Sequence, residues 1–259
     1  MYGKYIIKKN GNNPNRLGIL ICTHGDETIG FKAMKIIENH ITNVSFIIVN
    51  KKAFDLGRKY IEFDLNRCFL GNAIGKGIDS YEYKLSKELH MVLKDFHNLI
   101  DIHSTDFDID PYIIVDNIKK NNLNIVNCID KKFIKNIYVI PFSKGTLIGN
   151  YINAIAIECG HNDDQNRVNQ IAEIIKNVSD NLYGKTFFQK NIHTFLGEMK
   201  KGNIIRLYEK TKDFNLIKEG SKLGYDKESN IIYSDQDIRL LFVNNKFNNN
   251  ILAIKLNLI

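Results

Sequence analysis

The sequence predicts an α/β protein with a mixed central sheet flanked by helices, followed by a small C-terminal β-rich domain. Three observations lead there. Apolar, β-branched runs recur along the first two thirds of the chain, and stretches with helical periodicity separate them. Several runs are apolar on both faces, which suits a central sheet covered on each side. From about Lys185 the texture changes to short strand-like runs divided by Gly, Lys and Asn.

The strand candidates in order are residues 17–23 (LGILICT), 44–50 (VSFIIVN), 98–103 (NLIDIH), 112–115 (YIIV), 137–140 (IYVI) and 154–158 (AIAIE). Helical spacing fills residues 28–40, 81–96, 119–128 and 163–182. Strands alternating with helices of this length argue for a layered α/β core. In the tail, residues 194–207 carry short strand-like runs. Residues 216–226 (LIKEGSKLGYD) read as a hairpin turning at Glu219-Gly220, and residues 238–244 and 251–259 as two further strands. The expected division is therefore 1–184 and 185–259.

Bulk composition narrows the class. With 259 residues, 44% hydrophobic and 25% charged, the chain can bury one sizeable core and still form a smaller module. It contains no run approaching the roughly 18–20 apolar residues that span a bilayer. The start, MYGKYIIKKNGNN, lacks the apolar run and cleavage site of a secretory signal, so a cytoplasmic location is expected. Cys22, Cys68, Cys128 and Cys159 are widely spaced with no CxxC pair, and read as buried free thiols. The net charge of +7 is spread along the chain without a block of five like charges. It is weak support for a nucleic-acid partner, and no aromatic RNP pattern, GxxG loop or Cys/His finger accompanies it.

Four short segments carry candidate chemistry. After residues 17–23, His24-Gly25-Asp26-Glu27 falls between a strand and a helix, where open α/β sheets place their sites. A Gly between His and Glu lets the backbone fold sharply enough to aim both at one ion. Catalytic zinc commonly takes two His and one Glu and keeps a position for water. His103, closing another apolar run, supplies the third ligand, although a His there also suits a core or capping role. In Asp64-Leu65-Asn66-Arg67, Arg beside Asn offers a fork of donors for a carboxylate; the ordinary alternative is an Arg paired with Asp64 or a nearby Glu. Arg58 and Lys59 add positive charge just upstream. Glu158 ends a third apolar strand, an expensive place for a carboxylate unless it is paired or working. Beside an activated water it would take a proton and return it to a leaving amine.

In order, HGDE, RKYIEFDLNR, DIHST and IECG resemble the aspartoacylase/succinylglutamate desuccinylase family, which is related to the zinc carboxypeptidases. The resemblance runs from Thr23 to Glu158 and continues in the tail at LIKEGSKLGY and residues 242–244 (FVN). It implies a zinc-carboxypeptidase-like sheet with a C-terminal β domain. It also implies one zinc per chain on His24, Glu27 and His103, and Glu158 as general base. Asn66 and Arg67 would grip a substrate carboxylate, and Arg58 or Lys59 would polarise the scissile carbonyl. Two departures concern the acyl group. An Arg that aspartoacylases carry before the base is here Ile148, with Lys144 the nearest cation, and a substrate Tyr after FVN is replaced by Phe247 or Asn248. His161 either lines the pocket or is solvated.

The expected activity is hydrolysis of the amide bond of a small N-acyl amino acid. A zinc carboxypeptidase acting on small peptides would use the same residues, and a basic RNA-binding domain is the non-catalytic alternative. No nucleic-acid or membrane partner is expected, and a homodimer is compatible with the sequence. Imidazole and carboxylate ligands also accept iron, manganese or cobalt.

Overall fold

A computed structural model describes residues 5–69, 78–105, 109–117, 120–141, 145–182, 191–200, 204, 206–207, 216–241 and 251–258. The chain divides into two compact units, Met1–Lys190 and Asn191–Ile259.

In the first unit the elements follow one another as β1 (Ile6–Asn10), β2 (Leu17–Ile21), α1 (Ile29–Ile37), β3 (Val44–Ile48), α2 (Lys51–Asp55), α3 (Tyr81–Leu93) and β4 (Leu99–His103). Then come β5 (Tyr112–Val115), α4 (Lys120–Cys128), β6 (Asn136–Val139), α5 (Leu147–Asn150), β7 (Ala154–Glu158) and α6 (Gln165–Asn181). The sheet order is β1-β3-β2-β4-β7-β5-β6. β3, β2, β4 and β7 run parallel, β5 lies antiparallel to β7 and parallel to β6, and β1 is an antiparallel edge on β3. This is the mixed α/β fold expected. All residues of β2, β3 and β4 are buried, as a mostly parallel sheet under helices requires. α1 lies against both β2 and β4, and α6 against α1.

Connectivity sets the location of the site. From β2 the chain passes through α1 to β3 on one side, whereas β4 takes the other side of β2. Strand order reverses at this point, and the carboxyl ends of β2 and β4 open a crevice there, the position that open α/β sheets use for ligands. β7, parallel to β4, brings Glu158 directly opposite His103.

In the second unit β8 (Asn191–Lys200), β9 (Arg206–Leu207), β10 (Leu216–Ile217), β11 (Lys222–Tyr225), β12 (Ile231–Tyr233), β13 (Ile238–Leu241) and β14 (Ile251–Leu258) pair antiparallel. Leu207, Ile217, Leu223, Ile238 and Leu240 form its core. The expected hairpin over 216–226 is corrected here. The chain does turn at Gly220, with φ at 75°, but β10 pairs with β13 while β11 pairs with β12 and β9. The tight hairpin forms one step later, around Asp226–Asn230, where the Asp226 carboxylate accepts from the amides of Glu228 and Asn230. Residues 242–244, Phe247 and Asn248 lie outside the described residues.

Candidate metal centre and active site

β2 ends at Ile21, and Cys22 takes a left-handed φ of 56° that swings Thr23 and His24 out of the strand line. Gly25 follows where no side chain fits: a Cβ there would collide with the backbone of Ala53 and Phe54 and with the Arg58 carbonyl. The turn closes with the Glu27 amide donating to the His24 carbonyl at 3.1 Å. Thr28, at the start of α1, makes no side-chain cap. The Asn162 carboxamide takes its place, accepting from the amides of Thr28 and Ile29 at 2.8 and 3.1 Å and donating to the Asp26 carbonyl at 2.9 Å. A residue just past β7 thus clamps the turn that carries His24 and Glu27.

The donor atoms of His24, Glu27 and His103 lie within 4.8 Å of one another. Glu27 stands between the imidazoles: His24 Nδ1 is 2.7 Å from its Oε1 and His103 Nδ1 is 2.8 Å from its Oε2, which also accepts from the Ser104 amide. The other ring nitrogens are held from behind. His24 Nε2 is 3.0 Å from Asp64, and His103 Nε2 is 2.9 Å from Asp101, whose second oxygen accepts from the Thr23 hydroxyl at 2.7 Å. An imidazole whose far nitrogen is tied to a carboxylate is the usual arrangement of a metal-ligating His, because that bond fixes ring orientation and raises basicity. The donor set of two imidazoles and a carboxylate fits zinc. Asp101 is absent from the sequence reading, although a residue two before His103 in a strand must share its face.

Charge in this cluster is strongly coupled. Burial acts to lower the His24 pKa, but Glu27 and Asp64 more than offset it and push it up to about 9. His103 is likewise raised, burial being overcome by Asp101 and Glu27. Glu27 and Asp64 are held below the usual carboxylate range because the imidazoles outweigh their burial. Glu158 behaves oppositely. Burial drives it up to about 7; His103 opposes that shift and Glu27 adds to it. A carboxylate that exchanges a proton near neutral pH suits a general base. The rows of the sheet place Tyr112, Glu158 and His103 side by side on neighbouring strands.

The remaining sequence candidates lie on loops. Asp64 opens a short 3-10 turn, Leu65–Arg67, accepting from the Asn66 amide at 2.9 Å while it also meets His24. Asn66 accepts from the Leu147 amide at 2.9 Å, and Arg67 Nη1 donates to the Asn66 carbonyl at 2.6 Å. Gly145, with φ at 115°, packs onto the Arg67 backbone, where a Cβ would come within 2.8 Å of the Arg67 carbonyl oxygen. Arg58 and Lys59 are exposed, and the Lys59 carbonyl accepts from the Gly25 amide at 3.0 Å. The Lys59 charge reaches the corner, since it helps hold Asp64 low. His161 is exposed, Ile148 is buried, and Lys144 lies outside the described residues. All four cysteines are buried and none is in a disulfide, and burial pushes Cys22 and Cys68 up to about 12.

Two imidazoles and a group of carboxylates converge at the strand-order reversal of this α/β sheet, and His24, Glu27 and His103 form a candidate cation site. Residues 15–131 match the family model of the succinylglutamate desuccinylase/aspartoacylase catalytic domain. A probable aspartoacylase from Nostoc sp. is 28% identical over 214 residues, covering 76% of this chain and 69% of that protein. Murine aminoacylase 3 has the same fold, with a TM-score of 0.75 at 17% identity and 96% of each chain covered. The succinylglutamate desuccinylase of Chromobacterium violaceum aligns with a TM-score of 0.73 at 16% identity, covering 94% of this chain and 84% of that one. Over residues 15–131 the chain is similar to the succinylglutamate desuccinylase/aspartoacylase family, and its fold is that of the aminoacylase and desuccinylase structures. Among the described residues, no helix is long and apolar enough to cross a membrane.

Proposed function

We propose that the chain is a zinc-dependent deacylase that hydrolyses the amide bond of an N-acyl amino acid, with its catalytic residues in the unit Met1–Lys190. The observation that carries this reading is the convergence of His24, Glu27 and His103 beside Glu158, which stands in register with His103. These three side chains would hold one zinc ion, with Asp64 and Asp101 orienting the imidazoles. When bound, zinc supplies Lewis acidity and makes water nucleophilic at neutral pH.

The chain's own groups do the rest. Glu158 accepts the proton of the attacking water and delivers it to the departing nitrogen, so one carboxyl serves as base and then acid. Asn66 and Arg67 bind the amino-acid carboxylate, Arg suiting a planar bidentate partner. Arg58 or Lys59 faces the developing oxyanion, where a fixed positive charge stabilises the transition state. With Ile148 at the family's acyl-side Arg position and only Lys144 nearby, the acyl group accepted is one without an obligatory second carboxylate.

The test is metal content together with turnover of a panel of N-acyl amino acids and short peptides, before and after chelation. One zinc per chain and chelator-sensitive deacylation support the reading. Faster release of C-terminal residues from peptides would replace it with a carboxypeptidase. Metal-free protein with no amide turnover, or tight and salt-dependent RNA binding in its place, would contradict it.

A further inference from the structure

We propose that Glu82 is the positioning residue of the substrate-facing loop, setting where Asp64, Asn66 and Arg67 stand relative to His24. The role given to Asn66 and Arg67 rests on the deacylase reading; the structural part does not.

Glu82 lies in the first turn of α3 and is fully buried, with 0% exposure. A carboxylate there is costly unless its oxygens are saturated. Its partners are amides. Oε1 accepts from the Ile61 N–H at 2.7 Å and from Asn50 Nδ2 at 3.2 Å, and Oε2 accepts from the N–H groups of Glu62 and Phe63 at 3.1 and 3.0 Å. Three consecutive backbone donors are thus pinned by one side chain, immediately before Asp64. The loop answers in kind, because Glu62 Oε2 accepts from the Tyr81 amide at 2.6 Å.

One helical turn on, and therefore on the same face, Ser86 donates to the Cys68 carbonyl at 2.8 Å. Glu82 and Ser86 hold the two ends of residues 61–68, and α3 acts as the ruler for the segment between them. On the other side, Asn50 donates its backbone N–H to the Cys22 carbonyl at 3.1 Å, two residues before His24. The path Cys22–Asn50–Glu82–loop–Asp64–His24 closes on itself. Each link except the chain connections is a hydrogen bond. Glu82 makes four of these bonds, so its loss frees the loop while the strand ends that hold His24, Glu27 and His103 stay in place.

The experiment compares the full-length wild-type chain with Glu82→Gln, which keeps the shape but replaces one acceptor oxygen by a donor facing N–H groups. Three quantities are read: zinc per chain, kcat and KM on the best N-acyl amino acid, and amide hydrogen exchange at residues 61–63. The expected result is unchanged zinc content and kcat within a few-fold, with KM raised about tenfold or more, as loss of a charged hydrogen-bonding group implies. Exchange at residues 61–63 accelerates while β2 and β4 stay protected. Glu82→Asp, which keeps the charge on a shorter stem, falls between the two, and it replaces the Gln variant if that chain does not fold cooperatively. Wild-type KM with unchanged exchange at residues 61–63 overturns the inference, as does a uniform loss of protection across the sheet. If wild-type protein cleaves no N-acyl amino acid, the deacylase reading fails, and the exchange result alone decides the role of Glu82.

Discussion

The metal corner and the loop at residues 58–67 face one another yet are built on different principles. In the corner His24, His103 and Asp101 are 8%, 4% and 0% exposed, and they sit on or just past the ends of fully buried strands. Their positions follow from sheet register, which cannot slip by one residue without turning every side chain to the other face. In the loop Arg58, Lys59 and Tyr60 are exposed, and placement depends on side-chain bonds from Glu82, Asp64 and Asn66 to backbone amides. The contrast teaches a division of labour. On the proposed reading, strand ends carry the chemistry, while a loop held by a few replaceable hydrogen bonds carries selectivity.

Substitutions can break that comparison or sharpen it. The largest effect is expected from His103→Ala, which removes a proposed ligand and should take zinc content from one per chain towards none, with activity lost alongside; elemental analysis decides. Next, Glu158→Gln should keep the metal but lower kcat by about 10²–10⁴, the usual contribution of a general base. A variant that keeps near-wild-type kcat would move the base elsewhere. Third, Asp101→Asn should weaken metal affinity about 10–100-fold without removing a ligand, as loss of a carboxylate behind a ligating His does; competition with a chelator of known affinity measures it. Arg67→Ala should act mainly on KM, raising it about tenfold with kcat little changed, because a substrate carboxylate is bound equally in ground and transition states. Mainly kcat loss would instead place Arg67 at the reacting carbonyl.

Acidity gives a further handle. In the cation-free state His24 stays protonated up to about pH 9, and a cation needs its neutral form. Cation binding near pH 7 should therefore release protons, and apparent affinity should fall as pH drops, by about tenfold per pH unit for each proton displaced. Glu158 acts in the same direction. Its working form is ionised, so activity should rise with pH along a limb whose apparent pKa lies at or below about 7, since a nearby cation favours the ionised form.

Much of this was legible in the chain before folding. β2 and β7 are apolar runs and β4 is one interrupted only by Asp101, and His24, His103 and Glu158 stand at or just past their ends, so one argument about strand ends located all three. β1 was missed because IIKKN is an exposed antiparallel edge with little apolar signal, and only its pairing with β3 makes it a strand. The tail hairpin was misread because a Gly turn reveals that the chain reverses but not which strand each arm then joins. Asp101 could have been found from its period-two relation to His103. Glu82 and Asn162 could not. Each looks like an ordinary polar residue near a helix start, and its partners are backbone amides 19 to 21 and 133 to 134 residues away respectively.

The most direct test is anomalous scattering at the zinc edge from crystals of the full-length protein. The account predicts one strong peak per chain between the side chains of His24, Glu27 and His103. A peak at the cysteines instead, or none in protein that hydrolyses N-acyl amino acids, would contradict it.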